Sequence, residues 1–115
     1  MRIISTQVHG VLDYLTGGTL LAAPTLLGLD GDGAGRALRI AGGGATAYSL
    51  LTDYELGLVR VLPMPAHLAL DAASGALLAS SPWLFGFAKG GTRHWLPHAL
   101  VGATEILAAA TTKTG

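Results

Sequence analysis

Two histidine and aspartate pairs with the same spacing are the residues of this sequence best suited to chemistry. His9 precedes Asp13 by four positions, and His67 precedes Asp71 by four. Residues four apart lie on the same face of a helix about one turn from each other, so each imidazole can contact a carboxylate. Such a pair can hold a proton near neutral pH, or it can orient an imidazole whose second nitrogen binds a metal ion.

The two pairs belong to a duplicated segment. HGVLDYLTGGTLLAAPTLLG at positions 9–28 aligns without a gap on HLALDAASGALLASSPWLFG at 67–86, with His, Leu, Asp, Gly and Pro shared at matching positions. A weaker match lies downstream at the same separation, where Gly44-Ala45-Thr46 corresponds to Gly102-Ala103-Thr104. The sequence therefore predicts an internal duplication that includes two helices in each copy.

The composition favours a membrane environment. Only 12% of the 115 residues are charged, against about 25% in typical soluble domains. The mean hydropathy is +0.51. Because acidic and basic residues balance to a formal net charge of zero, the chain lacks the basic surface that nucleic-acid binding requires. The absence of cysteine excludes disulfides, thiolate metal sites and cysteine nucleophiles.

Four apolar segments are predicted to form helices, and the second is the shortest. They lie at about 8–29, 37–52, 66–87 and 95–112. A helix of about 20 apolar residues can cross the hydrocarbon core of a bilayer. The predicted fold is therefore an all-α, four-transmembrane-helix bundle within a single domain, built from two tandem helical-hairpin repeats at 1–58 and 59–115. Because each repeat has two spans, both termini should lie on one face and a pseudo-two-fold axis should follow the membrane normal.

Ionisable side chains are costly inside a bilayer, so we expect them to face the bundle interior and to find partners there. The expected intramembrane polar network contains His9, Asp13, His67, Asp71 and Glu105. Glu105 is the clearest break in the duplication, because Ala47 occupies the matching position of the first repeat. Its expected partners are Thr104, Tyr48 or a histidine, and its alternative role is proton transfer or ligand binding.

Three interpretations of the histidines stay open at this point. In the first, each histidine hydrogen-bonds an aspartate of its own or the other repeat and thereby fixes helix packing. In the second, the imidazoles converge on a haem iron or a metal ion of undetermined identity. In the third, the same groups take part in proton or quinone chemistry, because a histidine paired with an aspartate can titrate near neutral pH. The candidates for cofactor binding are His9, His67 and His98. His98 shares a helix face with Glu105, or it lies at the membrane interface beside Trp95.

A resemblance to the SPW-repeat family of small bacterial membrane proteins extends over nearly the whole chain. It rests on the runs RIISTQVHGVLDY, LLTDYELGLVRVLPMPAHLALDAASGALLASSPWLFGF and WLPHALVGATEI. The family is named for Ser-Pro-Trp, here Ser81, Pro82 and Trp83, whereas the first repeat has Ala23-Pro24-Thr25. The resemblance implies a multi-pass protein of the bacterial cytoplasmic membrane with paired helices in each repeat. It brings no catalytic residue.

The leading functional hypothesis is a structural or accessory membrane protein rather than an enzyme. Its expected partners are the lipid bilayer and, through helix faces rich in small residues, a second copy of the chain or a larger membrane complex. The rival hypothesis is a cofactor-binding membrane protein that uses the histidine and aspartate pairs of the two repeats.

Overall fold

A computed structural model of the protein describes residues 2–114. Met1 and Gly115, which begin the first and end the second predicted repeat, lie outside the described residues. The described chain contains four α-helices, which are α1 (Thr6–Leu26), α2 (Gly33–Leu50), α3 (Met64–Leu84) and α4 (Leu96–Thr111). Two short 3-10 turns, Phe87–Gly90 and Thr92–His94, lie between α3 and α4. The prediction of an all-α fold with four helices is confirmed.

The duplication is most regular in the first helix of each repeat. α1 and α3 both have 21 residues, and each contains a buried proline near its end, Pro24 or Pro82. The helices begin through different local chemistry. Ser5 caps α1 by accepting a backbone N–H, whereas Pro65 occupies the first turn of α3, where no intrahelical donor is needed. Equivalent helices thus start at equivalent positions without equivalent caps.

Within each hairpin, the two helices approach each other through facing glycines. A Cβ added to Gly42 would lie 2.9 Å from the carbonyl oxygen of Gly17. In the second hairpin, a Cβ added to Gly75 would lie 2.7 Å from the carbonyl oxygen of Gly102. Backbones can come this close only where the side chain is a hydrogen atom. The glycines therefore determine how α1 packs on α2 and how α3 packs on α4.

These contacts correct the predicted alignment of the second helices. The tripeptides at 44–46 and 102–104 match at a separation of 58, but the facing glycines make Gly42, not Gly44, the counterpart of Gly102. The structural separation in α2 and α4 is therefore 60 residues. Runs of small residues are weak evidence for register, because any of them permits close helix approach.

The start of α2 also differs from the prediction. The helix begins at Gly33, four residues before the predicted segment at 37–52 and within the run rich in glycine and aspartate at 29–35. In addition, α4 with 16 residues is shorter than α2 with 18. The glycines of this run serve packing rather than flexibility. Gly35 lies against the carbonyl group of Leu29, where a Cβ would overlap the backbone. This tertiary contact outweighs the loop preference of glycine and aspartate.

Short parallel pairings join the two repeats at the end of the bundle where α1 and α3 begin. Ile4 pairs with Thr112 at the end of α4, and Leu62 pairs with Thr52 after the end of α2. Each pairing joins residues from different repeats. As a result, α1 and α3 run in the same direction and both termini of the described chain lie at this end.

The interior is unusually polar. Among the described residues, eight polar or ionisable residues are buried beside nine apolar ones. The apolar residues form two clusters, one of Leu20, Leu29, Ala34, Leu38 and Leu78 and one of Tyr54, Met64, Leu68 and Ala109. Within residues 2–114, no helix combines the length and the apolar character that a membrane span needs.

We expect Gly42→Ala to lower stability, because the new Cβ would lie 2.7 Å from Leu20 Cβ and 2.9 Å from the Gly17 carbonyl oxygen. Overpacking of this kind costs about 1–3 kcal/mol. Gly44→Ala, on the same helix, meets nothing within 4 Å and is the matched control. The measurement is the thermal midpoint by circular dichroism in one detergent or buffer. Equal midpoints for the two variants would contradict the close approach of α1 and α2.

Candidate functional site

The two histidine and aspartate pairs meet between α1 and α3. His9 Nε2 lies 3.1 Å from Asp13 Oδ1 and 2.7 Å from Asp71 Oδ2. His67 Nε2 lies 2.9 Å from Asp13 Oδ2 and 3.2 Å from Asp71 Oδ2. Each imidazole therefore contacts a carboxylate from its own repeat and one from the other. These four residues, three of them buried and Asp13 partly exposed, are termed the His–Asp cluster.

A threonine holds each imidazole from the side opposite the carboxylates. His9 Nδ1 is 2.7 Å from Thr112 Oγ1, and His67 Nδ1 is 2.7 Å from Thr52 Oγ1. Both hydroxyls donate their single proton to a backbone carbonyl of the preceding turn, at 2.6 and 2.7 Å. Each threonine oxygen must therefore accept a hydrogen bond from the imidazole. Both Nδ1 atoms carry a proton, so both Nε2 atoms are the ones that face the carboxylates.

Charge balance follows from this arrangement. A bare Nε2 lone pair would repel a carboxylate oxygen at 2.7 Å, as between His9 and Asp71, whereas an Nε2–H donates to it. With both imidazoles doubly protonated, two positive and two negative charges make the cluster neutral. Neutrality matters because an uncompensated buried charge is strongly destabilising.

Each carboxylate also accepts a tyrosine hydroxyl. Tyr48 donates to Asp71 Oδ1 at 2.5 Å, and Tyr54 donates to Asp13 Oδ2 at 2.7 Å. Burial, together with the neighbouring carboxylate, raises the pKa of Tyr54 in the linker above its usual range, so its hydroxyl keeps its proton and remains a donor. Sequence reasoning missed both contacts. They join residues 23 and 41 positions apart, and no spacing pattern marks such pairs.

A cavity of about 70 Å³ lies on the His9 side of the cluster. Its wall includes Ala108 of α4, which corresponds to Tyr48 of α2 at the structural separation of 60 residues. The ring of Tyr48, from the first repeat, packs on His67 of the second repeat with centroids 5.0 Å apart. The second repeat has only a methyl group at that position, and this loss of a tyrosine ring accounts for the cavity.

Glu105 lines the same cavity from α4. At the structural register its counterpart is Ala45, which also lines the cavity, so the predicted correspondence with Ala47 is wrong by two residues. The Glu105 carboxylate is partly buried and receives a long contact of 3.4 Å from the Ser74 hydroxyl. Ser74 takes the place of the expected partners, since the hydroxyl of Tyr48 is directed to Asp71 instead.

His98 lies at the other end of the bundle and is separate from the His–Asp cluster. It is fully buried near the start of α4, where its Nε2 donates to the carbonyl oxygen of Ala34 at 2.8 Å. Its ring contacts Phe87, with centroids 5.1 Å apart. The structure therefore brings together two of the three cofactor-binding candidates, His9 and His67, and leaves His98 elsewhere.

The dimensions of the site limit what it can bind. Pockets for drug-sized ligands measure about 300–1,000 Å³. The cavity here is about 70 Å³. The His9 and His67 rings are in edge contact, with centroids 5.3 Å apart, which leaves no room for a porphyrin between them. A haem or a quinone therefore does not fit between His9 and His67, whereas a single ion needs only the side-chain atoms that are already present.

The Ser-Pro-Trp sequence ends α3 at the opposite end from the cluster. The Ser81 hydroxyl donates to the carbonyl oxygen of Leu78 at 2.7 Å, which satisfies a backbone acceptor next to the buried Pro82. Trp83 is exposed and packs against Trp95, with ring centroids 5.9 Å apart. The motif thus lies at the end of α3 and places the indole of Trp83 next to that of Trp95 on the outer surface.

Comparison with known proteins gives one match. A family model described as the SPW repeat domain matches residues 7–112, a range that includes the His–Asp cluster and the Ser-Pro-Trp motif. No curated protein and no solved structure matches the chain.

We expect Thr112→Val to lower the free energy of unfolding by about 1–3 kcal/mol, because the buried Nδ1–H of His9 loses its acceptor. The adjacent Thr111 is the matched control, since its hydroxyl donates only to carbonyls of its own helix. Thr111→Val should change the free energy by less than about 0.5 kcal/mol. Denaturant titration of both variants measures the difference. If Thr112→Val were as stable as Thr111→Val, the assigned direction of the His9 hydrogen bond would be wrong.

Proposed function

The chain belongs to the SPW repeat family, and from that premise we propose that it is a small multi-pass membrane protein with a structural or accessory role. Its location is the bacterial cytoplasmic membrane. Its partners are the lipid bilayer and a second copy of the chain or a larger membrane complex. The proposal assigns no catalytic residue.

The distribution of polarity is the observation that supports this proposal most directly. Large apolar side chains are exposed on the outer faces of the helices, for example Leu15 at 63%, Ile40 at 74% and Leu107 at 65%. Meanwhile His9, His67 and the other buried ionisable groups face inward. Proteins that fold in water show the opposite trend. An apolar exterior around an interior that holds the ionisable groups suits lipid as the surrounding solvent.

The moderate hydropathy of each helix is compatible with a bilayer, because a mean over a helix includes both of its faces. In α3, His67 and Asp71 lie on the buried face, whereas Leu70 and Leu77 are exposed. Inward-facing polar residues lower the mean without contacting lipid. At about 1.5 Å per residue, the 21 residues of α3 extend about 32 Å. The hydrocarbon core of a bilayer is about 30 Å thick.

The ends of the bundle have the residues expected at a membrane surface. Charged side chains lie in or next to the connections, among them Asp30, Asp53, Glu55, Arg60, Lys89 and Arg93. Trp83 and Phe85 are exposed where α3 ends, and indoles and other aromatic rings are enriched at the boundary between lipid and water.

In this proposal the His–Asp cluster fixes α1 against α3. Separating the repeats would remove the shorter carboxylate contact of each imidazole and the threonine that accepts its Nδ1–H, in a medium that cannot replace them. Each imidazole has contacts with both carboxylates only when the repeats are in register. The cluster therefore serves the structural role by making one packing of the helices much more favourable than its alternatives.

Single-cysteine labelling tests the membrane topology, since the natural sequence contains no cysteine. Asp53→Cys and Lys89→Cys lie at opposite ends of the bundle, and both native side chains are exposed. A membrane-impermeant maleimide should label them from opposite faces of sealed vesicles. Leu77→Cys, exposed in the middle of α3, should stay unlabelled in the intact membrane because lipid covers it.

Extraction of the same membranes with alkaline carbonate is the complementary measurement. A spanning protein should remain in the pellet. Release into the supernatant, or rapid aqueous labelling of Leu77→Cys, would overturn the membrane assignment. Labelling of Asp53→Cys and Lys89→Cys from the same face would overturn the spanning topology alone.

Asp71→Asn tests the structural role of the cluster. Removing this carboxylate leaves His9 and His67 with excess positive charge in the interior, and breaking a buried ion pair in this way costs about 3–5 kcal/mol. Asp53→Asn, in the exposed linker, is the control and should leave stability unchanged. The readout is the denaturation midpoint by circular dichroism. An Asp71→Asn protein as stable as the control would show that the cluster does not hold the repeats together.

A further inference from the structure

We propose that the His–Asp cluster is a binding site for one divalent transition-metal ion. The ligands are Nε2 of His9, Nε2 of His67 and one carboxylate oxygen from each of Asp13 and Asp71. This inference goes beyond the structural role, and it does not depend on whether the chain crosses a bilayer.

The four ligand groups are already gathered at coordination distance. One atom from each residue can be chosen so that all four lie within 4.8 Å of one another. A tetrahedral ion with ligands at about 2.0–2.2 Å needs its ligand atoms roughly 3.3–3.6 Å apart. The nitrogen-to-oxygen contacts of the cluster are 2.7 to 3.2 Å. Small side-chain rotations that lengthen these contacts would therefore open the centre to an ion.

The surrounding hydrogen bonds orient the ligands as a metal site requires. Thr112 and Thr52 accept from the Nδ1–H groups, which turns both Nε2 atoms toward the common centre. Metal-binding histidines are typically held through their other ring nitrogen in this way. Tyr48 donates to Asp71 Oδ1, so Asp71 Oδ2 is left facing both imidazoles. The ligand orientation thus exists before any ion binds.

One ring nitrogen supplies an independent indication. His67 Nε2 is fully buried and makes no hydrogen bond of acceptable geometry, although Asp13 Oδ2 lies only 2.9 Å away. The other three ring nitrogens of the cluster all have hydrogen-bond partners. Ser49 Oγ, His94 Nδ1 and His98 Nδ1 are also buried without a hydrogen-bond partner, but among these atoms only His67 Nε2 belongs to the cluster of ligand atoms. A buried polar atom that is unsatisfied in that position indicates that something else binds there.

Charge conservation makes ion binding compatible with burial. Without an ion, two imidazolium groups balance two carboxylates. When a divalent ion binds, one proton leaves each Nε2, and two positive charges again balance two negative ones. The exchange of two protons for one ion leaves the net charge unchanged, so no uncompensated charge is created. Tyr48, Tyr54 and Glu105, which face the cluster or its cavity, need not change their protonation.

The donor set indicates which ions fit. Two imidazoles with two carboxylates suit Zn²⁺, Co²⁺ and related first-row ions. Mg²⁺ and Ca²⁺ favour sites made of oxygen ligands alone and should not compete. The cavity next to His9 and Asp13 leaves space for one further small ligand such as water.

The test uses the full chain purified in detergent and freed of metal with a chelator. Titration with Co²⁺ should give one ion per chain and the visible absorption of a tetrahedral complex, and Zn²⁺ should displace it. Calorimetry in buffers of different protonation enthalpy should show about two protons released per ion. Mg²⁺ should give none of these signals. Absence of stoichiometric Co²⁺ or Zn²⁺ binding by the natural sequence would overturn the proposal.

Variants localise the binding. His67→Gln should weaken Co²⁺ affinity by at least about tenfold, and Thr52→Val, which keeps all four ligands, by about 10- to 100-fold. His98→Gln is the control, since His98 is equally buried but lies at the other end of the bundle. Thr52→Val keeps the test decisive where His67→Gln fails to fold.

Equal affinity in Thr52→Val and the natural sequence, or equal losses in His67→Gln and His98→Gln, would refute the site. Vesicle labelling reports the topology separately.

Discussion

The structure depends on four ionisable groups in its interior, two imidazoles and two carboxylates, whose charges compensate one another. His9 makes its shortest contact with Asp71 of the other repeat, and His67 makes its shortest contact with Asp13. Each imidazole thus lies closer to the carboxylate of the other repeat than to the carboxylate of its own. The two repeats must therefore fold together and in one register. The threonines behind the imidazoles and the glycines between the helices follow from this requirement, since they fix the orientation and the depth of each ring.

Around this nearly symmetric centre, the two repeats differ in ways that matter chemically. Both tyrosines that donate to the aspartates come from the first half of the chain, and the second half has Ala108 in place of a ring. The space left by that ring is bordered by Glu105, an acid without a counterpart in the first repeat. The centre is therefore closed on the side of Tyr48 and accessible to a small ligand on the side of His9.

The sequence was sufficient to predict the parts of the fold that rest on local pattern. The common spacing of the histidines and aspartates predicted the equivalence of α1 and α3, and apolar segments located the four helices. The register of α4 was missed because Gly-Ala-Thr tripeptides permit close packing at many registers. The contacts of Thr52, Tyr54 and Thr112 were missed because they depend on where distant segments meet. The start of α2 was missed because Gly35 is required by a contact with Leu29 and not by the chain nearby.

The crossed pairings of Ile4 with Thr112 and of Leu62 with Thr52 have an evolutionary consequence. A single hairpin that met a second copy of itself about a two-fold axis would make each of these contacts twice, with the same histidine and aspartate exchange at its centre. Fusion of two copies of the gene for such a hairpin would keep the assembly. The sequences of the two halves could then diverge from each other. A homodimer must change both of its subunits at once, whereas the fused chain can exchange a tyrosine for an alanine, or gain a glutamate, on one side only. Tandem duplication is thus a route by which a symmetric assembly acquires a distinct face.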